Sequence, residues 1–130
     1  MPMNDLLAIM SRLRDPKTGC PWDVEQTFET IAPHTIEEAY EVREAISNND
    51  YENLKDELGD LLLQIVFHSK IAEESKLFCF EDVVKNICTK MIKRHPHVFG
   101  DEKIETVNEQ LDSWEDIKAK EREVQSESQL

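Results

Sequence analysis

Between Leu54 and Ala72 the chain carries a run that leaves little freedom of fold. Placed at about 100° per residue, Leu54, Leu58, Leu61, Leu62, Leu63, Ile65, Val66, Phe67, Ile71 and Ala72 cover almost the whole circumference of one helix. A helix apolar on nearly every side is predicted to be buried. One stripe breaks the cover: Glu57, Asp60, Gln64 and His68, at i, i+3, i+7 and i+11. A carboxylate on such a helix must find a partner or lose its charge.

A second helix precedes it. The pattern predicts a start at about Pro33 or Thr35 and an end at Ile46, with Ser47-Asn48-Asn49-Asp50 closing it. Its apolar arc holds Ile36, Ala39, Tyr40, Val42, Ala45 and Ile46. Glu38 falls inside that arc, Glu41 lies at its border, and Glu37 and Glu44 point toward water. Asp50 is a natural N-cap for the next helix, expected from Tyr51 to Ser75. So short a link makes the two helices an antiparallel hairpin.

Glu38, Glu41, Glu57 and Asp60 therefore point inward from two touching helices. Lysines or arginines from elsewhere would neutralise them as a salt-bridge network. A capping box of Thr35 with Glu38 would explain one acid and leave Glu57 and Asp60 without a reason. A bound cation accounts for all four, and ligation by oxygen alone selects magnesium or manganese over zinc or copper. A di-iron carboxylate site needs a Glu-x-x-His step. The residues three before His34, His68, His95 and His97 are Ile31, Ile65, Ile92 and Arg94, so that reading fails. Cys79, Cys88, His95 and His97 match no standard zinc spacing. His68 reads as a satisfied core histidine or as support for the ligands.

The rest of the chain reads as helix as well, and the predicted class is all-α. Leu6, Ile9, Met10 and Leu13 mark a first amphipathic helix, and Asp15 to Trp22 a loop with two prolines and a glycine. Phe80, Val83, Val84, Ile87, Met91 and Ile92 carry another helix, stopped near Pro96. Thr106 with Glu109 forms a capping box that opens a last helix through Val107, Leu111, Trp114 and Ile117. One domain over residues 1–122 is expected, with 123–130 a polar tail or the start of a linker. A net charge of −13 repels nucleic-acid backbone and anionic membrane, so neither is an expected partner. No apolar run reaches the length of a membrane span. Three scattered cysteines without disulfide spacing point to a reducing cytoplasm.

These residues resemble a known family. Glu37-Glu38-x-x-Glu41 followed by Glu57-x-x-Asp60 is similar to the metal signature of the all-α nucleoside triphosphate pyrophosphohydrolases. Cys20-Pro-Trp-Asp23 with Gln26-Thr27, Glu57-Leu-Gly-Asp-Leu-Leu62, Arg94-His-Pro-His-Val-Phe-Gly100 and Trp114-Glu115 resemble the MazG branch. The match covers about residues 5–122.

The resemblance implies magnesium-dependent hydrolysis of a nucleoside triphosphate to its monophosphate and pyrophosphate, with manganese the other candidate ion. It implies Glu38, Glu41, Glu57 and Asp60 as metal ligands, and a homodimer whose helices pair into a bundle. Glu37 or Glu41 is the candidate to take the proton of the attacking water. Lys90, Lys93 and Arg94 are candidate phosphate or base contacts, although basic residues at a helix C-terminus also suit its dipole. Trp114 and Trp22 are candidate stacking partners for a base, or core residues. Relatives are often tandem, so a catalytically weak metal- and nucleotide-binding half with an assembly or regulatory role is the alternative. A sister enzyme acting on phosphoribosyl-ATP or dUTP is a further rival.

Overall fold

The computed structural model describes residues 1–129, and the side chains of residues 1–124. Seven helices and no strand occur among them: α1 (Pro2–Leu13), α2 (Pro21–Glu25), α3 (Phe28–Ser47), α4 (Tyr51–Glu74), α5 (Phe80–Arg94), α6 (Pro96–Phe99) and α7 (Val107–Gln129). They divide into two compact units, residues 1–83 and the residues from 84 onward.

The first unit is built on the α3–α4 hairpin, with α1 packed along α4. Its core gathers Met10, Ile31, Val66, Phe67 and Ile71, with Met3, Leu6, Leu7, Phe28, Leu63 and Phe80 packed around them. The core thus lies at the C-terminal half of α4. The hairpin turn is tight because Asn49 takes φ 54, a left-handed conformation that asparagine tolerates. Asp50 N–H reaches back to Ala45 O (3.0 Å), and the Asp50 carboxylate then caps α4 through Asn53 N–H (3.2 Å).

Three features differ from the sequence expectation within this unit. Helix α3 begins at Phe28, ahead of Pro33. Thr27 and Thr30 form its capping box, so Pro33 lies inside the helix, where it forgoes one backbone hydrogen bond. Pro21 opens the short α2 in what read as a loop, since proline suits the first helical position. Finally, α4 is only partly covered: Val66, Phe67, Ser69, Ile71 and Ala72 are buried, but Leu58, Leu62 and Ile65 are exposed. The core sits beyond them, and one chain does not wrap the acidic half of the helix.

Arg14 fastens the end of α1. Its Nε and Nη2 donate to the two carboxylate oxygens of Glu74 (2.8 and 2.7 Å), and Nη1 donates to the carbonyls of Asp23 (2.6 Å) and Gln26 (3.0 Å). The guanidinium also lies 5.6 Å from the centre of the Phe67 ring. The preceding turn requires Gly19: a Cβ there would fall 2.3 Å from Leu13 O.

In the second unit, Pro96 both stops α5 and opens the short α6. Thr106 Oγ1 accepts from Glu109 N–H (3.2 Å) as expected, but the Glu109 carboxylate takes the N–H of Glu105 (3.2 Å) instead of closing the box on Thr106. Helix α7 continues to Gln129, past Arg122 where the sequence placed the end of the domain. Its many Glu, Gln, Lys and Arg residues are good helix formers and help to sustain it. Leu130 lies outside the described residues.

Candidate metal centre

Antiparallel packing brings the middle of α3 against the first half of α4. Glu38, Glu57 and Asp60 converge there, each offering an oxygen within 4.8 Å of the others. Glu38 and Glu57 are half-buried and Asp60 is exposed. The i, i+3 step puts Glu57 and Asp60 on one face of α4. Glu41 is half-buried on the same helix but stands outside the converging group, and Glu37 is exposed.

The capping explanation for Glu38 falls. Thr35 is eight residues into α3, its hydroxyl 3.3 Å from Ile31 O and 2.9 Å from His68 Nε2. His68 stacks on Phe28 at 6.0 Å between ring centres, and burial lowers its pKa. It is a satisfied histidine, one of the two sequence readings.

Crowding leaves a mark on Glu38. Burial first, then a hydrogen bond shared with Glu57 and the charges of Asp60, Glu57 and Glu37, raise its pKa from the ordinary 4.5 to about 7. Its Oε2 is buried without a hydrogen-bond partner. No lysine or arginine is ion-paired with Glu38, Glu57 or Asp60 among the described residues. The salt-bridge alternative therefore has no support here. An all-carboxylate set with an orphaned buried oxygen and one proton held near neutrality fits a hard divalent cation.

The remaining candidates fall elsewhere. Trp22 is half exposed, edge-on to His34 (6.0 Å) and Phe67 (6.3 Å), so it is neither core nor free. In the second unit Lys90, Lys93 and Arg94 on α5 face Lys118, Lys120 and Arg122 on α7 across a cavity of about 770 Å³. Arg94 donates to Glu121 (3.0 Å), and Trp114 Nε1 donates to Arg94 O (2.8 Å). The Trp114 indole lies under Lys118, whose Nζ is 5.8 Å from the ring centre. The three basic residues of α7 were missed from the sequence. Trp114, Lys118 and Arg122 at i, i+4 and i+8 were the signal, a basic and aromatic stripe on an otherwise acidic helix.

Comparison with known proteins places this acid pattern. The profile of the MazG nucleotide pyrophosphohydrolase domain matches residues 26–99, which include all five acids of the motif. The chain belongs to that family. It is 55% identical over 117 residues to the nucleoside triphosphate pyrophosphohydrolase of Escherichia coli K12, covering 90% of this chain and 44% of that protein. It is 46% identical over 126 residues to the Thermotoga maritima nucleoside triphosphate pyrophosphohydrolase/pyrophosphatase MazG, covering 97% of this chain and 48% of that protein. The chain thus spans about half the length of the curated relatives it matches. The crystal structure of a mazG-related protein from Thermotoga maritima superposes with a TM-score of 0.73 at 31% identity, over 89% of this chain and 98% of that one. Like the MazG relatives it resembles, the chain is a helical domain, and no helix among its described residues is long and apolar enough to cross a membrane.

Proposed function

We propose that this MazG domain hydrolyses nucleoside triphosphates to the monophosphate and pyrophosphate, with magnesium (or manganese) as its metal. The observation that carries the reading is the convergence of Glu38, Glu57 and Asp60 with Glu38 held near neutrality and no basic residue paired with them. Those three, joined by Glu41, hold the cation. When bound, it supplies charge neutralisation for the triphosphate and activation of water at neutral pH.

The chain's own residues supply position and proton transfer. Glu37, which is exposed, and Glu41 are the proposed acceptors of the proton of the attacking water. Lys90, Lys93, Arg94 and Trp114 are proposed nucleotide contacts, the cations for phosphate oxygens and the indole for the base. Trp22, half exposed beside His34, is a second stacking candidate.

A homodimer belongs to this reading. Ile36, Tyr40, Leu58, Leu62 and Ile65 are exposed on the two helices that carry the acids, and a second copy of the hairpin would bury them and complete a bundle. Sedimentation of the full chain tests this, and a monomer at micromolar concentration refutes it. Cys20, Cys79 and Cys88 are free thiols, consistent with a cytoplasmic protein.

The alternative is a catalytically weak metal- and nucleotide-binding domain with an assembly or regulatory role. Incubating the chain with each common nucleoside triphosphate and magnesium, and measuring pyrophosphate, separates the readings. Release from several triphosphates supports the proposal. Release from one alone points to a dedicated sister enzyme, and magnesium-dependent stabilisation without release to the alternative.

A further inference from the structure

Two acceptor oxygens inside the α3–α4 hairpin are buried without a partner, Glu38 Oε2 and Gln64 Oε1. The first belongs to the proposed cation site. The second has no assigned role. Gln64 follows Asp60 by four residues and Glu57 by seven, so all three share one face of α4, Gln64 about 6 Å further along the axis than Asp60. Side chains on a helix lean toward its N-terminus, over the preceding turn. The Gln64 amide accordingly leans toward the turn that carries Asp60.

No donor among the described residues bonds this oxygen. On the far side of Gln64 the polar groups are already engaged: His68 Nε2 with Thr35 Oγ1 (2.9 Å), and Thr35 with Ile31 O (3.3 Å). On the near side stand the three carboxylates, and no hydrogen bond joins any of them to the Gln64 oxygen. A buried acceptor left so is disfavoured, and native proteins rarely keep one without a reason. The donor absent from the chain is one that arrives with a hard divalent cation, which dehydrates reluctantly and keeps several waters when carboxylates bind it.

We infer that Gln64 is a positioning residue for the cation: its buried Oε1 accepts a hydrogen bond from a water that the cation carries, and so fixes the orientation of the hydration shell against Glu38, Glu57 and Asp60. This rests on the proposed function above. Groups that hold a metal's ligands in this indirect way typically weaken binding 10- to 100-fold when removed, about 10-fold at the low end.

The test uses the full chain, with Mn²⁺ alone as the probe and free Mn²⁺ read by its paramagnetic resonance signal. Gln64→Met keeps the length of the side chain and removes the acceptor. The expected result is Mn²⁺ affinity weakened at least about 10-fold, with cation-free melting temperature unchanged or raised. Gln64→Glu keeps an acceptor and is expected to hold Mn²⁺ at least as well as the wild type. Equal Mn²⁺ affinity in Gln64→Met and wild type overturns the inference, as it does if the oxygen is served by a water unrelated to the cation. A lower cation-free melting temperature in Gln64→Met also overturns it, because the amide would then be bonded within the hairpin already. A wild type that does not bind Mn²⁺ overturns the metal reading itself, which distinguishes the two failures.

Discussion

Replacing Glu38 by glutamine should stabilise the cation-free protein at pH 8 and do much less for it at pH 5. The carboxyl is held at about 7 against an ordinary 4.5, by burial and by the neighbouring Glu57, Asp60 and Glu37. Because its folded pKa is raised, the folded state binds a proton that the unfolded state has released between those two values. Stability therefore falls as pH rises from about 4.5 through 7, and the loss is complete above. A rise of that size corresponds to at most ~3 kcal/mol. Solvent reaches the cluster and screens it, which leaves ~1–2 kcal/mol as the working figure. For a domain of this length that is a rise in melting temperature of about 3–8 °C. The assay is a pair of thermal melts, wild type and Glu38→Gln, at pH 5 and pH 8 with chelator present. Adding magnesium at pH 8 should then raise the melting temperature of the wild type and leave Glu38→Gln nearly unmoved, since the cation relieves the same repulsion that the substitution removes. Equal melting temperatures for the two proteins at pH 8, in chelator, would refute the reasoning that crowded charge, awaiting a cation, is stored at this site.

Further outcomes are expected. Glu57→Ala and Asp60→Ala should each abolish magnesium-dependent stabilisation in the same melts, while leaving the cation-free protein folded; retained stabilisation would remove them from the ligand set. Lys90→Ala and Arg94→Ala should raise the KM for the triphosphate without changing Mn²⁺ affinity, and a change confined to metal binding would contradict the phosphate role. Glu74→Gln should cost about 1 kcal/mol at pH 7, since Arg14 loses a charge-assisted pair that is partly solvent-screened. Arg14 holds the Glu74 carboxyl below its usual value, so that contribution is present above the ordinary glutamate pKa and disappears as pH falls through the folded one. Denaturant titrations at pH 7 and pH 3 measure both ends.

The hairpin and its acids were legible because they depend on local rules. Asp50 and the 48–50 link predicted the α4 start and the antiparallel turn, and the i, i+3 step put Glu57 and Asp60 together. What misled was a second local rule outcompeting the first. Pro33 reads as a helix opener, but Thr27 and Thr30 cap the chain six residues earlier, and that shift is what takes Thr35 away from the cap and leaves Glu38 to the cluster. The burial of Leu58, Leu62 and Ile65 was inferred from hydrophobicity alone, which specifies that a surface must be covered without specifying by what. Glu41 satisfies the spacing of the motif yet stands outside the converging three, because spacing fixes the face of a helix and not the reach of a side chain. The α5–α7 groove was half visible: its α5 residues were singled out, while its α7 side depends on tertiary packing between segments far apart in sequence.

The three-residue link between α3 and α4 has a kinetic consequence. Glu38, Glu57 and Asp60 are all supplied by one hairpin whose loop is short, so the site needs no distant segment of the chain to assemble. Local contacts of this kind form early in folding. A divalent cation present during refolding would then have its ligands before α1 docks on the hairpin, and would speed the folding limb of a chevron as well as slow the unfolding limb. In a cation-poor solution the same hairpin would have to close against its own charge, and refolding would slow as the pH rises.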